Sequence, residues 1–105
     1  MEDKFIDYTY FKQSIEDDDM VKMFILKIQV QIGEYIEKID KFDKDDYSSI
    51  YADIHSVKGI SSYCFPKIYK LTSKMCENMK SKKYDNLQEN LDKLKKEYKN
   101  VLIHL

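Results

Sequence analysis

Apolar and polar positions follow a helical period along most of the chain. From about residue 20 to the C-terminus, apolar residues recur every three or four positions, the spacing that places them on one face of an α-helix. The pattern predicts four long helices, at about residues 18–40, 45–64, 66–81 and 85–105. The predicted apolar stripe of the first helix consists of Met20, Phe24, Ile28, Ile32, Tyr35, Ile36 and Ile39, and Ile25 and Leu26 widen it, so we expect this helix to touch more than one neighbour.

Residues suited to helix ends lie at the predicted boundaries. Asp17-Asp18-Asp19 and Asp45-Asp46 offer capping oxygens and negative charge at helix starts, and Pro66 suits a first turn. The chain has only two glycines and one proline, which argues against the many tight turns of a sandwich or a barrel. We therefore expect an all-α fold, an antiparallel up-down four-helix bundle formed by residues 1–105 as a single domain. Residues 1–16 have room for a short extra helix at the N-terminus.

Gly33 lies inside the first long helix. An interior glycine costs up to about 1 kcal/mol relative to alanine. We therefore expect either the close approach of another helix at Gly33 or simple tolerance of the glycine.

Charge and composition exclude several classes of function. The 18 cationic residues are all lysines, and they face 19 acidic residues for a net charge of −1. Without a cationic excess or arginine, nucleic-acid binding is not expected. Two cysteines, Cys64 and Cys76, are too few for a disulfide framework or a zinc motif, and we interpret them as small buried hydrophobes. The acidic N-terminus and the interrupted apolar windows favour a soluble cytoplasmic protein with no membrane association.

The third predicted helix carries the candidate chemistry. On a helical wheel, His55 lies about 120° from the centre of the apolar face. Lys58, Gly59 and Ser62 share its solvent-facing surface, and Tyr51 lies at the margin. An exposed helical glycine serves no packing, but it clears space for a large partner one turn from the imidazole. A neutral imidazole is a nucleophile, and the Lys58 ammonium is placed to stabilise an anion bound there.

His55-Ser56-Val57-Lys58-Gly59-Ile60-Ser61-Ser62 resembles the His-x-x-Lys-Gly-(Ser/Ala)-(Ser/Ala) signature of histidine-containing phosphotransfer domains. The preceding residues 46–54 are similar to the family's run into its histidine, and residues 17–24 resemble its earlier helix. The resemblance extends from about Phe11 to the C-terminus. The family usually has a glycine about ten residues after its histidine, where this chain has Phe65. We therefore expect a remodelled turn at residues 63–67.

The resemblance implies a monomeric phosphocarrier of a two-component phosphorelay rather than an independent enzyme. His55 would accept a phosphoryl group from a receiver-domain aspartate and pass it to another receiver. Lys58 would stabilise the phosphoryl charge, Gly59 would provide clearance, and Ser62 would supply a hydrogen bond, while we expect Tyr51 to line the partner surface. The implied partners are response-regulator receiver domains and a hybrid sensor kinase, with Mg²⁺ carried by the receiver and no cofactor on this chain.

Two other interpretations remain open from the sequence. The chain is alternatively a phosphorylation-inactive helical module that binds receivers or other signalling proteins. A small hydrolase or metalloenzyme has the least support, because the sequence has no HExxH, GxSxG or carboxylate constellation. His104 has no companion residues of the kind that accompany His55, and we assign it no role.

Overall fold

The computed structural model describes residues 4–105, and this part of the chain is all-α. Its helices are α1 (Thr9–Lys12), α2 (Asp18–Lys41), α3 (Tyr47–Ser61), α4 (Pro66–Lys80) and α5 (Leu87–His104). The predicted all-α class is confirmed, together with the four predicted long helices. The N-terminal segment adds a helix of only four residues. Within residues 4–105, every helix is too short or too polar to cross a membrane.

Side-chain caps explain where two of the long helices begin. The Asp17 carboxylate accepts a hydrogen bond from the Asp19 amide at 2.9 Å. The Asp46 carboxylate accepts one from the Ser49 amide at 3.3 Å. Each cap satisfies an amide that has no partner within the first turn. The acidic clusters at residues 17–19 and 45–46 thus start α2 and α3 as expected.

The junction between α3 and α4 differs from the sequence prediction. The prediction that the third helix continues to Cys64 is wrong, because α3 ends at Ser61. The amides of Cys64 and Phe65 both donate to the Ser61 carbonyl, at 3.3 and 2.9 Å, which closes a turn immediately before Pro66. Phe65 is fully buried at this turn and has a negative φ, so the turn requires no glycine.

The four long helices contact one another in a closed order. α3 packs against α2 and α4, α4 packs against α5, and α5 packs against α2, while α1 contacts α2. The core lies between them and includes Ile25, Ile32, Ile54, Val57, Ile68, Met75, Leu94 and Val101. The N-terminal segment joins this core through buried Ile6, and the Asp7 amide donates to the Cys64 carbonyl at 2.8 Å.

The buried face of α2 is rotated from the predicted stripe over its first two turns. Met20 and Phe24 were expected in the core, yet they are 44% and 38% exposed. Val21 and Ile25 take their place at 1% exposure each. Phe24 stacks instead on Phe11 of α1, with ring centroids 5.9 Å apart. The prediction was wrong here because this part of α2 has apolar residues on nearly every side.

Gly33 lies where α2 meets α5. A Cβ at Gly33 would overlap the hydroxyl oxygen of Tyr98 and lie 3.0 Å from its Cζ. The Tyr98 hydroxyl is fixed there, because it donates to the Gln29 carbonyl at 3.1 Å and accepts from the Gln29 amide group at 2.6 Å. The close approach of another helix, one of the two expectations for Gly33, is therefore present.

Candidate functional site

Helix α3 positions His55 by burying the residues on its opposite side. Asp46 caps the helix, and Ile50, Ile54 and Val57 face the core at 0–2% exposure. Because these buried positions fix the rotation of α3 about its axis, His55 projects away from the core and is exposed. The expected orientation of His55 is confirmed.

The imidazole of His55 makes few contacts with the rest of residues 4–105. Its closest recorded aromatic neighbour is Tyr51, one turn earlier, with ring centroids 5.9 Å apart and planes inclined by 35°. Among residues 4–105, no hydrogen bond or ion pair involves either ring nitrogen of His55. The His55 ring therefore has only the Tyr51 ring beside it, and its nitrogens are free to react.

Gly59 opens the surface one turn beyond His55. It is exposed, and a Cβ built on it would have no neighbouring atom within 4 Å. No side chain of the protein needs the space that the glycine leaves. The absence of a side chain at Gly59 consequently has no explanation within the packing of residues 4–105.

Lys58 supplies a cation on the side of α3 that faces α4. Its side chain is half-buried, and no carboxylate within residues 4–105 lies within ion-pair distance of its ammonium. Burial raises the pKa of the Cys76 thiol on α4, while the nearby charges of Lys58 and Lys80 oppose that rise. Lys58, three residues after His55, thus places a cation near α4 that has no carboxylate partner among residues 4–105.

Ser62 lies on the same face but is already engaged. It is the C-cap residue of α3, and its exposed hydroxyl donates to the Gly59 carbonyl at 2.6 Å. Its proton therefore satisfies a carbonyl at the helix end, and only its lone pairs are free to accept a hydrogen bond. The predicted bond from Ser62 to a phosphoryl group stays a prediction, and it requires this hydroxyl to rotate.

A shallow pocket of about 380 Å³ is lined by Tyr51, the residue one turn before His55. Tyr47 and Tyr84 form one wall, with their rings stacked at 3.7 Å and inclined by 1°. The remaining lining consists of Ser48, Tyr51, Met79 and Lys80. Sequence reasoning missed this pocket, because Tyr84 lies in the connection between α4 and α5, where helical periodicity carries no information.

Asp53 is a second residue that the sequence did not single out. It is buried on α3, and its Oδ1 lies 3.6 Å from the Nζ of Lys38 on α2. Its Oδ2 is buried without a hydrogen-bond partner. This carboxylate faces α2 rather than the surface of His55, so we assign it to the α2–α3 contact. Its sequence signal is an acidic residue at the apolar spacing, three residues after Ile50 and four before Val57.

The remaining candidate residues lie apart from His55. Cys64 and Cys76 are buried and unpaired, and burial together with the charge of Asp7 raises the pKa of the Cys64 thiol to about 12. The Nδ1 of His104 donates to the Asn100 carbonyl at 2.7 Å, and the His104 ring packs on Phe5. Within residues 4–105, no group of three or more His, Cys, Asp or Glu side chains is arranged to hold a metal ion.

Comparisons of the chain with protein-family models, with curated proteins and with solved structures find no match. The resemblance to histidine-containing phosphotransfer domains therefore stays an expectation from the sequence.

Proposed function

We propose that this chain is a histidine phosphotransfer protein of a phosphorelay. In this proposal His55 accepts a phosphoryl group from the aspartate of a receiver domain and passes it to another receiver. The chain acts as a monomeric carrier and not as an independent enzyme. Its partners are receiver domains of response regulators and of a hybrid sensor kinase.

The observation that carries the proposal is that the free imidazole of His55 lies one turn from the open surface at Gly59, which packing does not explain. His55 is exposed, and its ring nitrogens have no partner among residues 4–105. A Cβ added to Gly59, one turn away, would meet nothing within 4 Å. An interior helical glycine costs about 1 kcal/mol relative to alanine. Space kept open at that cost beside a nucleophile suits a reaction in which another protein must approach closely.

The arrangement of the helices supports the same proposal. The contacts of α2 with α3, α3 with α4, α4 with α5 and α5 with α2 are those of an antiparallel up-down bundle, which we propose as the architecture. In such a bundle the exposed face of α3 is accessible along its length. Tyr51, Gly59 and the pocket of Tyr47 and Tyr84 then form the surface on which a receiver docks around His55.

The proposed chemistry is a reversible in-line displacement. The neutral imidazole attacks phosphorus through its unprotonated nitrogen, the N–P bond forms as the O–P bond to aspartate breaks, and the carboxylate leaves with the bonding electron pair. The second ring nitrogen keeps its proton throughout. Lys58, which has no carboxylate partner within residues 4–105, is available to stabilise the equatorial oxygens. Mg²⁺ held by the receiver would supply further charge neutralisation, and transfer to a second receiver is the reverse step.

The direct test is transfer of label from a panel of receiver domains carrying radiolabelled aspartyl phosphate. We expect at least one receiver to label the wild-type chain, with mass spectrometry locating the phosphoryl group on His55. His55→Gln should fold normally, because the exposed ring makes no hydrogen bond within residues 4–105, and it should take no label.

His104→Gln is the matched control, since it removes the other histidine of the chain and should leave labelling unchanged. Label on His55→Gln would refute the assignment of His55. Receiver binding without labelling of the wild type would instead identify the phosphorylation-inactive interaction module.

A further inference from the structure

A groove of about 460 Å³ between α4 and α5 collects positive charge away from His55. Seven residues line it, and five of them are lysines: Lys67, Lys70, Leu71, Lys74, Lys93, Lys96 and Glu97. The chain as a whole has a net charge of −1, so this concentration of lysines is a local departure from an even charge distribution. None of the residues assigned above to phosphotransfer lines the groove.

Most of this charge is uncompensated within the protein. Lys93 pairs with Glu89 at 3.5 Å, and the Lys67 ammonium lies 4.1 Å from the centre of the Phe5 ring. Lys70, Lys74 and Lys96 are exposed and make no ion pair within residues 4–105. Glu97 is the single acid in the groove, and its Oε2 is shielded from water without a hydrogen-bond partner. The groove therefore presents three ammonium groups, those of Lys70, Lys74 and Lys96, that have no acidic partner within residues 4–105.

The shape of the groove favours a peptide over other anions. Packed helices lie about 8–10 Å apart, and the lysines of α4 extend over about 10 Å, from Lys67 to Lys74. This length matches a short stretch of one polypeptide. Half-buried Leu71 and the lysine methylenes give the groove an apolar floor, which a phosphate backbone would not use. The chain also lacks arginine, the residue best suited to bidentate phosphate contacts.

We propose that the α4–α5 groove docks a short acidic segment of a partner protein. In this arrangement an apolar side chain of the segment rests on Leu71, and its carboxylates pair with Lys70, Lys74 and Lys96. Charge complementarity sets the on-rate and the orientation, while the apolar contact adds residence time. This docking is independent of phosphorylation at His55.

The test is fluorescence anisotropy with a labelled peptide in which pairs of glutamates alternate with single leucines. We expect saturable binding that weakens as salt is raised to about 0.15 M, where the screening length is about 8 Å. The triple variant Lys70→Gln/Lys74→Gln/Lys96→Gln should bind about tenfold more weakly. A peptide with serine in place of leucine should also bind more weakly, because it cannot use the apolar floor.

The matched control is Lys22→Gln/Lys41→Gln/Lys99→Gln, which removes the same charge from exposed lysines outside the groove and should bind as the wild type does. His55→Gln should also bind normally, which separates this site from the phosphotransfer proposal. Equal weakening in both triple variants would overturn the proposal, because it would show attraction to overall charge alone. Absence of peptide binding would overturn it as well, as would groove-dependent binding only to anionic vesicles, to single-stranded DNA or to a second copy of the chain.

Discussion

Gly33 and Gly59 are the two glycines of the chain, and both lie inside long helices. At Gly33 the space beside the helix is filled by the Tyr98 ring of α5, which a Cβ would overlap. At Gly59 a Cβ would meet nothing within 4 Å. Packing inside the protein therefore explains the glycine at position 33. It does not explain the glycine at position 59.

The difference separates a stabilising region from a functional one. The α2–α5 seam contains a side chain held by two hydrogen bonds and leaves no free volume. The exposed face of α3 has an imidazole and an ammonium that find no polar partner among residues 4–105, together with open surface at Gly59. Changes in the seam should lower the free energy of unfolding and leave phosphotransfer intact, whereas changes on the face should alter phosphotransfer without destabilising the fold.

The largest expected effect on the α3 face comes from Gly59→Glu. A long side chain there occupies the space that a docking receiver needs, so transfer to His55 should slow by about a hundredfold, the scale of a misplaced reacting group. Unfolding in urea should show no loss of stability, because the site is exposed. Gly59→Gln separates bulk from charge and should slow transfer nearly as much. Wild-type transfer rates in both variants would contradict the clearance role of Gly59.

Lys58→Ala should slow phosphotransfer by about tenfold. A tenfold loss is about 1.4 kcal/mol, close to the low end of the range for one hydrogen bond to a charged group, as expected for a half-buried lysine. Single-turnover labelling from a phosphorylated receiver measures it. Lys58→Arg should recover most of the rate, and Lys99→Ala, which removes an exposed lysine of α5, should have no effect. A rate loss shared equally by Lys58→Ala and Lys99→Ala would assign the effect to net charge.

Much of the α3 face could be predicted from the sequence, because one element determines it. The exposure of His55 follows from the apolar positions Ile50, Ile54 and Val57 on a single helix, and Gly59 follows from the same rotation. Helical period alone fixes such relations.

Relations between different elements were harder to predict. The buried face of early α2 was misassigned because Met20, Val21, Phe24 and Ile25 are all apolar, and the position of α1 decides which of them face the core. The stacked pair of Tyr47 and Tyr84 joins a helix to a connection, so no period links the two residues. The end of α4 was predicted to within one residue, at Lys80, although Lys82 adopts a positive φ of 57° where glycine is the usual signal.

Gly33→Ala should destabilise the fold by about 1 kcal/mol. Alanine gains helix propensity, but its Cβ displaces the Tyr98 hydroxyl and breaks its two hydrogen bonds with Gln29, each worth about 1 kcal/mol. Urea unfolding measures the loss, and transfer to His55 should be unaffected. Tyr98→Phe should lower the free energy of unfolding less in the Gly33→Ala background than in the wild type, because it removes the hydroxyl that the alanine Cβ would overlap. Additive costs would show that the glycine and the tyrosine do not interact.

Gly59→Ala has the smallest expected effect and the opposite sign. The new methyl group strains nothing and removes backbone freedom from the unfolded chain, so the free energy of unfolding should rise by about 0.5–1 kcal/mol. Ala52→Gly, at another exposed position of α3, should lower it by a similar amount. A destabilised Gly59→Ala would mean that the glycine serves the fold, as Gly33 does. A more stable variant that transfers phosphate more slowly would instead show that the helix gives up stability at this position to admit a partner.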